Sequence, residues 1–147
     1  MNADKFKGTG VALVTPFNSD KKIDYIALEK LVNHVINQGV NFLVALGTTA
    51  ETPTLSPEEK IDILTAIIKF NKKRLPLVCG IGGNNTQEVI QQLQTYPLQE
   101  VDAILSVSPY YSKPSQAGII AHFKEISKHS PLPIILYNVP GRPGSNL

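Results

Sequence analysis

The stretch Phe42-Leu43-Val44-Ala45-Leu46 decides the fold, because five apolar residues follow one another without a polar break. A strand with one face in water alternates apolar and polar residues, whereas a continuous apolar run is typical of a strand covered on both faces, as in a parallel sheet. Four further runs of this kind lie at residues 11–14, 77–79, 103–107 and 134–136. They recur at intervals of roughly 30 residues, the usual size of a βα repeat, and so predict an α/β fold.

Helical patterns fill the intervals between these runs, and each begins at a residue that commonly caps a helix. The N-caps are predicted at Asp24, Ser56, Asn85 and Ser115. The second start is the clearest, because Pro57 suits the first helical position and Glu59 completes a capping box with Ser56. Gly39 is expected to be the C-cap of the first helix, and the third should end before Pro97.

This order of elements fits two architectures. One is the first half of an eight-stranded βα barrel, and the other is a doubly wound open sheet. A dinucleotide-binding open sheet should carry a glycine fingerprint after its first strand, but Thr15-Pro16-Phe17 stands there. The run Gly80-Ile81-Gly82-Gly83-Asn84-Asn85 lacks the third glycine, and it is typical of a tight turn between a strand and a helix.

Composition excludes several classes of function. The net charge of +2 is small and the basic residues are scattered, so no nucleic-acid partner is expected. No stretch approaches the roughly 18 apolar residues of a membrane span. The chain has a single cysteine, Cys79, which excludes an internal disulfide and fits a reducing cytoplasm. The histidines His34, His122 and His129 show no metal-ligand spacing, so no metal site is predicted.

Polar and conformationally special residues collect just after the predicted strands. Thr48 and Thr49 can hold a carboxylate or phosphate, or simply cap their turn. Tyr110-Tyr111 suits an interface, a proton relay or a structural role. Tyr137 ends the last strand, and Arg142 carries a guanidinium fork that suits a carboxylate. In a barrel these residues share the rim where barrel enzymes do chemistry, so we predict an enzyme with a small anionic substrate.

Three motifs resemble the dihydrodipicolinate synthase family, within the superfamily that includes N-acetylneuraminate lyase. They are Gly47-Thr48-Thr49-x-Glu51, Pro109-Tyr110-Tyr111-x-Lys113-Pro114-Ser115-Gln116 and Tyr137-Asn138-Val139-Pro140-x-Arg142-x-Gly144. The resemblance extends over residues 8–147. It implies an α/β fold of the (β/α)8 TIM-barrel family, in which residues 1–147 form the N-terminal part of the catalytic domain, roughly β1 to β5, a half barrel.

The resemblance also implies an activity, with no cofactor. Enzymes of this family are cytoplasmic lyases that condense pyruvate with aspartate semialdehyde in lysine and diaminopimelate biosynthesis, through a Schiff base on a lysine. By position, Tyr137 would shuttle protons and Thr48 would link it to Tyr111, which in the family crosses from the neighbouring subunit of a homodimer or homotetramer. Thr49 would hold the pyruvate carboxylate. Arg142 would grip a substrate carboxylate and steady Tyr137.

One departure from the family concerns the nucleophile. The Schiff-base lysine of the family is expected beyond Leu147, and Lys113, which lies in a rim loop, matches a non-catalytic family position. We therefore expect the 147-residue chain to be inactive alone. The alternative is a non-catalytic half barrel, a fragment or engineered piece that self-associates through its open strand edges.

Overall fold

The structure is a computed structural model that describes residues 3–147. Within these residues it contains five strands and four α-helices, which alternate along the chain. They form two compact units. Of the described residues, one unit contains residues 3–79 together with Pro97–Asp102, and the other contains Gly80–Tyr96 and Ala103–Leu147. The predicted α/β order of elements is confirmed.

The first unit is built on parallel strands. The strands are β1 (Gly10–Ala12), β2 (Phe42–Ala45) and β3 (Leu77–Gly80), of which only Gly80 falls in the second unit. The helices are α1 (Tyr25–Asn37) and α2 (Pro57–Asn71). Strand β1 pairs with β2, and β2 pairs with β3, both in parallel. The two helices pack on each other, and their buried faces carry Leu28, Val32, Ile63, Leu64 and Ile67.

The second unit repeats this plan. It contains the strands β4 (Ala103–Val107) and β5 (Ile134–Tyr137) and the helices α3 (Thr86–Thr95) and α4 (Gln116–His129). Strands β4 and β5 pair in parallel, and the register sets Val107 beside Tyr137 at the carboxyl ends of both strands. Helices α3 and α4 pack together, and the core of this unit includes Val89, Leu93, Ile104, Ile119 and Ile126.

The helix starts follow the predicted caps. The side chain of Asp24 accepts from the Ala27 amide at 2.9 Å, and those of Asn85 and Ser115 accept from amides of α3 and α4 at 3.1 and 3.2 Å. Helix α3 ends at Thr95, before Pro97 as predicted. The prediction for Gly39 was wrong by one residue, because the C-cap of α1 is Gln38. Gly39 follows it with a φ of +83°, the left-handed conformation that glycine adopts without strain.

The strand predictions are correct in place. The run at residues 103–107 matches β4 at both ends, and the other four runs differ from their strands at one or both ends. The run predicted at residues 11–14 forms a strand only over Gly10–Ala12. Leu13 still donates its amide to Val44 O at 2.9 Å and is buried, but Val14 is 47% exposed and no longer belongs to the sheet.

A carboxylate fixes the start of β3. Asp102 accepts from the Leu77 amide at 2.7 Å and pairs with the ammonium group of Lys5. The Asp102 amide in turn donates to Leu77 O at 2.8 Å. Because hydrogen bonds to charged groups are stronger than neutral ones, this two-way contact fastens the segment before β4 to the first residue of β3.

The capping box of α2 gives a stability prediction. The Glu59 amide donates to Ser56 Oγ at 3.2 Å, and the Ser56 amide donates to the Glu59 carboxylate at 2.8 Å. Ser56→Ala should lower the free energy of unfolding by about 1 kcal/mol, measured by urea denaturation. Ser127→Ala, inside α4, is the matched control and should not destabilise the protein. Equal losses in the two variants would contradict the capping role.

A buried histidine gives a second prediction, on pH. His122 is 4% exposed, its Nδ1 lies 2.9 Å from Thr86 Oγ1, and its Nε2 has no hydrogen-bond partner among the described residues. Burial lowers the pKa of His122 in the folded state.

As the pH falls below the ordinary histidine value of about 6.5, the unfolded chain therefore takes up a proton that the folded chain resists. The free energy of unfolding should fall from that pH down to the lowered folded pKa. His122→Phe should flatten this slope, whereas His34→Gln, at an exposed histidine, should keep it. A slope that survives in His122→Phe would contradict the assignment.

Candidate active site

In the first unit, Thr48 and Thr49 follow β2 in a short 3-10 turn, Thr48–Ala50. The turn is bounded by two non-glycine residues in the left-handed conformation, Leu46 with φ +53° and Glu51 with φ +57°. Such residues cost roughly 1–2 kcal/mol each and persist only where the surroundings enforce them. Burial of the Leu46 side chain supplies one such anchor.

A buried hydroxyl holds the last residue of this turn, Ala50. Thr15 is 4% exposed, and its Oγ1 donates to Ala50 O at 2.8 Å. The side chains of Thr48 and Thr49 are exposed, and their amides lie at the start of the turn, where backbone donors have no acceptor inside it. Hydroxyl and amide donors so arranged can bind a carboxylate.

In the second unit, the tyrosine pair follows β4. Ser108 and Pro109 are buried, and the chain then emerges at Tyr110. Tyr111 is 92% exposed with a φ of +70°, and Lys113 is also left-handed, with a φ of +45°. The loop is held at Tyr110 O, which accepts from Asn84 Nδ2 at 3.3 Å and from the Ser112 amide at 2.8 Å.

A cavity of about 770 Å³ lies between this loop and the one that follows β5. It is lined by Tyr110, Tyr111, Lys113, Gly141, Arg142, Pro143 and Gly144. The lining contains the cations Lys113 and Arg142 and no acidic residue, and neither cation forms an ion pair within residues 3–147. Unpaired cations in a concave site attract an anionic ligand, and two phenols beside them can donate or accept hydrogen bonds.

The structure brings together some of the predicted site residues. Tyr111 and Arg142 line the same cavity, and Tyr137, although it is not a lining residue, ends the strand from which the Arg142 loop departs. Thr48 and Thr49 belong to the other unit. The roles assigned to these five residues stay predictions.

Sequence reasoning set Lys113 aside, and the structure places it in the cavity wall. Its position between Tyr111 and Pro114, in a loop after a strand, was the available signal. The left-handed backbone of Lys113 could not be predicted from the sequence, because such conformations are rare for lysine.

Other reactive groups lie away from this cavity. Cys79 is fully buried in β3, where desolvation raises the pKa of its thiol, so it is a poor nucleophile. Within residues 3–147, no group of three histidine, cysteine or acidic side chains could hold a metal ion. In the same residues, no helix has the length and apolar character needed to cross a bilayer.

Parallel βα repeats with polar loops at the carboxyl ends of their strands are shared by βα barrels and doubly wound sheets, and the matches to known proteins decide between them in favour of the barrel. The model of the dihydrodipicolinate synthetase family matches residues 5–147, and the chain belongs to that family. The predicted family and fold class are therefore confirmed.

Three relatives show the extent of the similarity. The chain is 56% identical over 142 residues to 4-hydroxy-tetrahydrodipicolinate synthase of Flavobacterium psychrophilum, covering 97% of this chain and 48% of that protein. The chloride-inhibited dihydrodipicolinate synthase of Acinetobacter baumannii, solved with pyruvate, matches with a TM-score of 0.91 and 46% identity over 95% of this chain and 48% of that one. A monomeric dihydrodipicolinate synthase variant matches with a TM-score of 0.91 and 36% identity, over 97% of this chain and 47% of that one. The chain thus spans about half the length of the curated relatives that it matches.

The hydrogen bond from Thr15 to the threonine turn gives a testable prediction. Thr15→Val leaves Ala50 O without its buried donor, so the free energy of unfolding should fall by about 1–3 kcal/mol. Amide exchange at Ala50 and Glu51 should also become faster. Thr15→Ser keeps the hydroxyl and loses one methyl group, worth about 0.8 kcal/mol, so exchange in the turn should stay slow. Equal exchange rates in the two variants would show that the hydroxyl does not hold the turn.

Proposed function

We propose that the chain is the N-terminal part of the catalytic domain of a cytoplasmic Schiff-base lyase, which condenses pyruvate with aspartate semialdehyde in lysine and diaminopimelate biosynthesis. The observation that carries the proposal is the cavity whose lining contains the cations Lys113 and Arg142 and no acidic residue. Membership of the dihydrodipicolinate synthetase family supports the reaction class, since the relatives that the chain matches are named for this synthase.

The chemistry needs an amine, a proton relay and a grip on carboxylates. An amine adds to the pyruvate carbonyl, and the adduct loses water when a proton reaches the departing hydroxyl. Loss of a methyl proton then gives an enamine, which attacks the aldehyde carbon. A phenol can deliver and remove such protons, and this is the role that we propose for Tyr137, with Thr48 and Tyr111 completing the relay.

The carboxylates of the two substrates suggest roles for Thr49 and Arg142. We propose that Thr49 and the amides of its turn bind the pyruvate carboxylate, and that Arg142 binds the carboxylate of aspartate semialdehyde. The always-charged guanidinium of Arg142 suits this role, because it offers two parallel donors to one carboxylate. The amine would come from a lysine in the half of the relatives' length that this chain does not span.

The exposed phenol of Tyr111 favours an oligomer. Tyr111 lines the cavity but is 92% exposed on a left-handed backbone, so its own chain covers little of the phenol. We propose that it enters the site of a second copy, in a homodimer or homotetramer. A monomeric variant among the matching structures shows that an oligomer is not required throughout the family.

A chimera tests the proposal. Residues 1–147 are joined to the half of the Flavobacterium psychrophilum synthase that they do not match, so that the relative supplies its own lysine. With pyruvate and borohydride, we expect a covalent adduct on the chimera and none on the 147-residue chain alone. An adduct on the chain alone would refute its expected inactivity and the place proposed for the lysine. If the unmodified relative forms an adduct and the chimera does not, the proposed function is wrong.

Tyr137→Phe in the chimera removes only the phenolic hydroxyl. We expect kcat to fall by about 10²–10⁴, the usual contribution of a positioned acid or base. Tyr25→Phe removes a hydroxyl from α1, in the other unit, and should leave kcat unchanged. A Tyr137→Phe chimera with unchanged kcat would exclude the relay role.

A further inference from the structure

The loop that carries Arg142 is tied at both ends by one side chain. The loop departs at Asn138, directly after β5. Asn138 Nδ2 donates to Asn146 Oδ1 at 3.0 Å, and Asn138 Oδ1 accepts from the Leu147 amide at 3.3 Å. The nitrogen and the oxygen of the Asn138 carboxamide therefore join the start of the loop to Asn146 and Leu147, which lie beyond its end.

Two further hydrogen bonds hold the same returning segment, residues 145–147. Ser108, fully buried just after β4, shares a hydrogen bond of 2.8 Å with Ser145. Gln116, the first residue of α4, donates from Nε2 to Asn146 O at 2.8 Å. We call this set of contacts, made by Ser108, Gln116 and Asn138 to residues 145–147, the loop clasp.

Inside the clasp, the backbone around Arg142 is also fixed. The Arg142 amide donates to Val139 O at 2.8 Å, and the Gly144 amide donates to Pro140 O at 3.0 Å. Pro143 is buried, whereas the Arg142 side chain is exposed and has no hydrogen bond or ion pair within residues 3–147. With no side-chain partner to orient it, the guanidinium depends on the loop backbone for its place.

We propose that Asn138, supported by Ser108 and Gln116, is a positioning residue that sets where Arg142 meets the anionic ligand of the cavity. This inference rests on the proposed function for the role of Arg142. It adds Asn138, Ser108 and Gln116, none of which is a lining residue of the cavity. A displacement of about 1 Å at a charge that grips a substrate can cost up to a hundredfold in rate.

Hydrogen exchange on the 147-residue chain tests the clasp without any activity. In Asn138→Ala, the amides of Arg142 and Gly144 should exchange about tenfold faster, because the loop opens more often. Asn37→Ala removes an exposed carboxamide from the last residue of α1 and should leave these rates unchanged. Unchanged rates in Asn138→Ala would overturn the proposal.

A double-mutant cycle in the chimera tests positioning against a merely structural role. Arg142→Ala should raise the KM for aspartate semialdehyde, and Asn138→Ala should raise it by a smaller factor while kcat for bound substrates changes little. In the Arg142→Ala background, Asn138→Ala should have no further effect, because the group that it positions is gone. Independent, multiplying effects would overturn the positioning role.

The hydrogen-exchange experiment and the activity of the chimera together distinguish a failure of the clasp from a failure of the proposed function. If the chimera is inactive while the unmodified relative is active, the proposed function is wrong, and the exchange rates of Arg142 and Gly144 still decide whether Asn138 holds the loop. If the chimera is active and the exchange rates do not respond to Asn138→Ala, the proposed function stands and the clasp is refuted.

Discussion

Parallel pairing of the strands is the constraint on which the rest of this structure depends. Neighbouring parallel strands cannot be joined by a tight turn, so the chain must leave each carboxyl end through a loop and return through a helix. In the first unit this places Thr48 and Thr49 after β2. In the second unit it places Tyr111 after β4 and Arg142 after β5, where both line one cavity. Within each unit, topology alone sets these polar residues at the carboxyl ends of the strands, before any contact among them is considered.

Much of this fold could be predicted from sequence because its signals are local. Continuous apolar runs locate strands, and a residue such as Ser56 with Glu59 three positions later marks where a helix begins. Element ends are less predictable, because they depend on neighbours distant in sequence. The apolar run at residues 11–14 gives no sign that Val14 leaves the sheet, and Gly39 reads equally well as the cap or as the residue after it.

The candidate site was predictable in its residue types and not in its geometry. Arg142 and Tyr111 are conspicuous because charged and phenolic groups follow apolar runs. The left-handed conformations of Tyr111 and Lys113 leave no mark in the sequence, so the place of Lys113 in the cavity wall was missed. The contact between Ser108 and Ser145 joins two ordinary serines far apart in the chain, and only the folded structure relates them.

The carboxylate of Asp102 has a consequence for how this sequence can be divided. The segment Pro97–Asp102 belongs to the first unit, although the chain reaches it only after passing through part of the second. A break between residues 79 and 80 would therefore separate the Leu77 amide from the carboxylate that binds it. The first unit therefore cannot be transferred to another protein as one uninterrupted stretch of sequence.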